Sequence, residues 1–232
     1  MLESKLKGML RSHARLAEVY AKAKERYLRR KFGSDYMTSV FGHIWERGLW
    51  DNPESLSGAG STLDNSLTVR RKLPDLLRKL EVRSILDAAC GDFNWMQHVE
   101  LGEIRYTGAD VVPGLIASNQ LKYGREGREF LVLDVSSDEL PSIDLILCRH
   151  CWIHWSFSAI KNCVANFKRS GARYLVATTS PHVEKNRDIL TGQWRPLNLE
   201  RPPLDFPQPL WRLPEDMGNA DLALWSVDQL PH

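Results

Sequence analysis

Two hydrophobic rhythms divide this chain. Up to residue 80 the apolar positions recur at helical spacing; from residue 83 short apolar runs alternate with polar stretches. In residues 2–31, Leu2, Leu6, Leu10, Leu16 and Tyr20 fall near one helical face with Lys and Arg between them, which predicts a first helix. A shorter helix is expected over residues 37–50. A third is expected over residues 62–80, where Leu63, Leu67, Leu73, Leu76, Leu77 and Leu80 are apolar and Pro74 kinks or restarts the helix. Between these two, Pro53, Gly58 and Gly60 mark a loop.

The second rhythm is that of buried strands. Residues 84–87, 106–110, 130–134, 143–148 and 174–179 are short apolar runs separated by helix-like stretches, the pattern of βαβ units and a parallel sheet. Three of the runs end on Asp87, Asp110 and Asp134. In an open α/β sheet, ligands bind beyond the carboxyl ends of the strands, so all three carboxylates are expected at one crevice. Residues 192–214 hold six prolines and several aromatics and read as an extended, ordered cover. Residues 221–227 read as a late strand, antiparallel near the sheet edge. The organisation expected is a helical extension over residues 1–54 and a binding domain over residues 55–232 that ends in the covering segment.

Composition adds bounds. A chain of 232 residues suffices for one α/β domain with short additions. No run of about 18 apolar residues occurs, so no membrane span is expected. The first residues lack an apolar core and a small-residue cleavage site, so no secretory signal is read. Cys90, Cys148, Cys151 and Cys163 lie in apolar contexts, which suits reduced thiols in a cytoplasm. Net charge is +2, but residues 1–31 carry ten Lys or Arg against three Glu. A basic helix there is a solvated face, a homodimer contact, or a surface for an acidic partner.

Residues 84–92, Ser-Ile-Leu-Asp-Ala-Ala-Cys-Gly-Asp, join a strand to a carboxylate and a small-residue turn. Small residues let a backbone approach a ligand closely. The run resembles the first motif of class I S-adenosylmethionine (SAM) dependent methyltransferases. It departs from that family where glycines flank Gly91 at two residues' distance; here those positions are Ala89 and Phe93. Asp110 follows Asp87 by 23 residues, about the separation at which an acidic group meets ribose hydroxyls in nucleotide-binding βαβ units. The resemblance implies a Rossmann-like, mostly parallel seven-stranded sheet with helices on both faces, and SAM as cofactor. It assigns Asp87, Ala89, Cys90 and Gly91 to the amino-acid part of SAM. Asp110 and Val111 go to the ribose, Asp134 and Val135 to the adenine, and Cys148 and Arg149 to the methionine end. A wider pattern is similar to bacterial methyltransferases of glycan and secondary-metabolite gene clusters. It runs from residues 57–62 through Cys90-Gly-Asp-Phe-Asn-Trp95 to residues 192–198.

Methyl transfer needs an in-line nucleophile and a place for its proton. His154 and His150 follow the fourth strand and are the candidate bases, with His154 preferred because the family often places a His on that turn. Ser57 and Ser61 in the loop, and His182, Trp194 and Arg195 after the fifth strand, are the candidate acceptor contacts. Trp with Arg suits stacking on a sugar face and capture of a carboxylate or phosphate. Cys148 and Cys151 with two histidines do not make the four well-spaced ligands of a zinc site, so no metal is expected. The reading is O-methylation of a sugar, glycan or other polar small molecule. The alternatives are an RNA methyltransferase that uses the basic helix, with nucleic acid the less favoured acceptor, and a non-catalytic nucleotide-binding module. A nicotinamide enzyme is disfavoured because no Gly-x-Gly-x-x-Gly run follows Asp87.

Overall fold

The computed structural model describes residues 36–50 and 52–231, together with Val19, Ala23, Lys24, Tyr27, Leu28, Arg30, Lys31 and Gly33. The helix expected over residues 2–31, and any dimer contact it would make, lie largely outside the described residues.

Seven strands form one sheet in the order β3-β2-β1-β4-β5-β7-β6. They are β1 (Ser84–Ala88), β2 (Arg105–Asp110), β3 (Arg128–Val132), β4 (Leu145–Cys148), β5 (Tyr174–Thr179), β6 (Trp211–Pro214) and β7 (Asp221–Ser226). The first five pair in parallel, and β7 lies antiparallel between β5 and β6. Four of the five central runs and the antiparallel late strand are where the hydrophobic pattern put them; β3 lies two residues earlier than the run 130–134. The edge strand β6 was not anticipated. Its Pro214 and the prolines before it hide a strand signal, and an edge position tolerates them. β1 and β4 are neighbours, so the strand order reverses between them and a crevice opens at their carboxyl ends.

Four helices of the described residues complete the layers: α1 (Tyr36–Glu46), α2 (Leu67–Lys79), α3 (Pro113–Tyr123) and α4 (Phe157–Arg169). Helix α2 starts later than its leucine pattern suggests, because Asp64–Ser66 forms a tight 3₁₀ turn first. Two apolar clusters cover the two faces of the sheet. One joins Leu86, Ile146 and Leu175 to α4 and to Tyr36 and Met37 of α1. The other joins Ile85, Leu145 and Val176 to Leu73, Leu76 and Leu77 of α2. The helical extension therefore shares the core of the domain at its Tyr36 end.

The tail is ordered by buried amides. Asn198 donates to the carbonyls of Pro181 and Val183, and Asn186 donates to those of Asn198, Arg201 and Pro202. These bonds pin carbonyls of a stretch whose prolines supply few backbone donors.

Candidate cofactor and acceptor cavity

At the carboxyl ends of β1, β2 and β4 lies a cavity of ≈ 310 Å³. That is within the size range of small-ligand sites, about 300–1,000 Å³. Its floor is Ala89 and Gly91 of the first turn with Asp110 and Val111 of the second. Val112, Leu115, Leu133 and Val135 form an apolar wall, and Phe41, Ile44 and Trp45 of α1 close it from the extension. His150, Ile153, His154, Trp50, Trp194 and Met217 border the other part.

The first turn explains its own departures from the family motif. Phe93 takes the left-handed conformation, φ 60°, that a glycine would supply. Its ring leaves the crevice and packs 5.1 Å from each of Tyr106, Tyr123 and Phe130. Bulk at this position therefore fills the core and leaves the crevice clear. Asp92 and Asn94 on either side hold the loop above. The Asp92 carboxylate accepts from Ser55 Oγ at 2.9 Å and from Leu56 N at 2.7 Å, and Asp92 N donates to Ser57 Oγ at 2.8 Å. Asn94 donates to Glu54 and to the Ser61 carbonyl. Gly91 has φ +56°, and a Cβ there would come 2.2 Å from Ser57 Oγ. Only glycine fits under that loop.

Asp110 is buried at the cavity floor and receives Gly91 N and Val112 N, both at 3.2 Å. Each carboxylate oxygen keeps acceptor capacity toward the cavity. Burial pushes its pKa up to about 6, against the lowering effect of those backbone bonds. Asp87 lies behind the floor rather than on it. Tyr106 Oη donates to it at 2.7 Å, and burial pushes its pKa up to about 7. The carboxyl does not border the cavity.

Several of the expected contacts do not border the cavity. Asp134 falls two residues past the end of β3; its Oδ1 is taken by Ser136 N and Oγ, and it does not border the cavity. Its neighbours Leu133 and Val135 do. Cys90 and Cys148 are buried behind the lining, without cavity contact. Arg149 does not border the cavity either. Its Nε donates to Glu215 at 2.7 Å, its two terminal nitrogens donate to the carbonyls of Gly60 and Asn65, and it stacks on Trp95. Arg195 is wholly buried and spends its guanidinium on the carbonyls of Trp152, Trp155 and Arg187. Burial lowers its pKa to about 10, and it cannot capture an acceptor anion. His182 faces Asn219 and lies outside the cavity. Ser57 and Ser61 border the cavity, but the Ser57 hydroxyl is committed to Asp92.

The two histidines differ. His150 Nε2 lies 3.1 Å from Glu215, whose side chain is wholly buried, and His150 Nδ1 is covered by Gly60, where a Cβ would approach to 2.7 Å. Burial alone would raise the pKa of Glu215. Arg149 and His150, with the bond from Thr178 at 2.8 Å, instead hold it down at about 2. His150 is thereby a clasp between the loop and the tail. In His154, Nδ1 lies 3.1 Å from the Gln193 carbonyl, which only accepts, so Nδ1 carries the proton and Nε2 keeps a lone pair. The ring stacks on Trp50 with centroids 4.3 Å apart. Burial lowers its pKa to about 4, so it is neutral at pH 7.

Sequence reasoning missed Glu215, Phe41, Trp45, Trp50 and Met217. The spacing of Phe41 and Trp45, one helical turn apart, was a readable signal; Glu215 offered none. No metal-holding cluster of three His, Cys, Asp or Glu occurs among the described residues. No helix among them is long and apolar enough to cross a membrane.

No protein-family model and no curated protein sequence matches the chain. Solved structures do. The mitomycin 7-O-methyltransferase MmcR aligns with a TM-score of 0.56 at 13% identity, over 88% of this chain and 66% of that one. The 1,6-didemethyltoxoflavin-N1-methyltransferase of Burkholderia thailandensis, with its substrate and S-adenosylhomocysteine bound, gives 0.54 at 16%, over 81% and 85%. The magnesium protoporphyrin IX methyltransferase of Synechocystis PCC 6803, with SAM bound, gives 0.52 at 12%, over 83% and 93%. The chain has the Rossmann-like fold of class I SAM-dependent methyltransferases.

Proposed function

We propose that this chain is a SAM-dependent methyltransferase that methylates an oxygen of a small polar acceptor. The observation that carries this is a single cavity that joins the strand-end floor, Asp110 with Ala89 and Gly91, to a histidine with a free nitrogen, His154. The floor suits a nucleoside: Asp110 has acceptor capacity for ribose hydroxyls, and Val111, Leu115 and Val135 make an apolar slot for a base. The buried, proton-hungry carboxyls Asp87 and Asp110 suit a ligand that brings positive charge. When bound, SAM supplies an electrophilic methyl group, whose carbon passes to the acceptor oxygen while sulfur keeps the S–C electron pair. His154 Nε2 takes the hydroxyl proton. Because His154 is neutral, it neither repels a sulfonium nor needs to be deprotonated first. Gln193 fixes its tautomer, and Trp50 fixes its plane. Glu215, Arg149 and His150 hold the loop that excludes water.

Incubation with methyl-labelled SAM and a fractionated small-molecule extract tests this. Label is expected in a small-molecule product, and His154→Ala is expected to slow its formation by about 10²–10⁴-fold, the usual contribution of a general base. An unchanged rate in His154→Ala removes the histidine from the reaction.

A further inference from the structure

We infer that the acceptor of this site is an uncharged molecule that carries a flat apolar face. This rests on the methyltransferase reading above and adds the class of acceptor. Leu56, Trp194 and Met217 are 49%, 59% and 38% exposed, and all three border the same cavity. Exposed apolar side chains scattered singly mean little, but three at one mouth mark a surface that awaits an apolar partner. Next to Trp194, the stacked pair Trp50 and His154 continues the same wall: Gln193, the residue before Trp194, holds the His154 ring. Such a wall favours a planar ring by stacking and dispersion.

Charge excludes the other classes. No Lys or Arg borders the cavity among the described residues. The two arginines nearest in sequence to its lining, Arg149 and Arg195, are spent on Glu215 and on backbone carbonyls. An anion would enter an apolar site without a countercharge. A cation would sit in a site already meant for a sulfonium, and among the described residues Asp110 is the one carboxylate of the lining, on the strand-end floor. A bare sugar has a flat face but would leave most of the aromatic wall uncovered.

Calorimetry on the full chain separates these outcomes. S-adenosylhomocysteine is titrated first, and its failure to bind overturns the methyltransferase reading itself. The saturated protein is then titrated with phenyl β-D-glucoside, methyl β-D-glucoside, phenyl phosphate and benzylamine. Phenyl glucoside is expected to bind at least about tenfold more tightly than each of the others. Trp194→Ala is expected to weaken it about tenfold while S-adenosylhomocysteine still binds. Preference for phenyl phosphate or benzylamine, equal binding of methyl glucoside, or no binding of phenyl glucoside overturns the inference and leaves the methyltransferase reading intact.

Discussion

The floor of the cavity and its cover are built on different principles. The floor is local: Ala89 and Gly91 follow β1, Asp110 and Val111 close β2, and of the strand-end carboxylates Asp110 faces the crevice. Asp110 caps Gly91 and Val112, both close to it in the sheet. The cover is assembled from afar. Glu215 reaches Arg149 and His150 across more than sixty residues of chain, and Gln193 reaches His154 across 39. A floor of this kind fixes what class of ligand enters; a cover of this kind fixes what that ligand meets.

The contrast predicts where damage goes. Glu215→Ala should be the most disruptive change, because it strands the buried Arg149 guanidinium. The expected cost is about 3–5 kcal/mol, read as a large fall in the thermal midpoint. A midpoint near the wild-type value would mean that the tail is not anchored there. A matched pair of neighbours sharpens the point. Arg195→Met removes the side-chain donor of the Trp155 and Arg187 carbonyls and one of the two donors of Trp152, and should cost about 2–4 kcal/mol in denaturant unfolding. Trp194→Ala, exposed at the mouth, should stay within about 0.5 kcal/mol of wild type. Equal costs would make Trp194 part of the packing.

The floor has a pH-dependent signature. The folded pKa of Asp87 is raised to about 7 from an ordinary value near 3.8. A raised carboxyl contributes its full stability below the unfolded pKa and loses it as pH rises through the folded one. Wild type should therefore lose ground to Asp87→Asn between pH 4 and pH 8, by on the order of 10 °C in midpoint. The low-pH titrations of His154 and Glu215 are common to both proteins and cancel in the difference. A constant difference across that range would mean that Asp87 is not held in its protonated form.

Legibility in the sequence follows the same division. The runs ending at Asp87, Asp110 and Thr179 read correctly because a buried parallel strand is a continuous apolar run with a polar stop. Asp134 misled because β3 ends at Val132, and the next residues turn back on Ser136. Arg195 misled for a different reason. Arginine next to an exposed tryptophan looks like a binding pair, but its guanidinium turns inward to the backbone carbonyls of Trp152, Trp155 and Arg187 and ties the tail to the turn after β4. Glu215 was invisible because nothing in its own neighbourhood announces a partner across the sheet. Phe93 looked like a defect in a glycine turn and proved to be the core anchor of that turn.

The central claim is that the strand-end crevice holds S-adenosyl nucleosides. Calorimetric titration of the full chain with S-adenosylhomocysteine and, separately, with NAD⁺ tests it most directly. One-to-one binding of S-adenosylhomocysteine is expected, weakened about 10–100-fold in Asp110→Ala, which is about 1.4–2.8 kcal/mol, with no binding of NAD⁺. Folded wild-type protein that ignores S-adenosylhomocysteine, or binds NAD⁺ in its place, would contradict it.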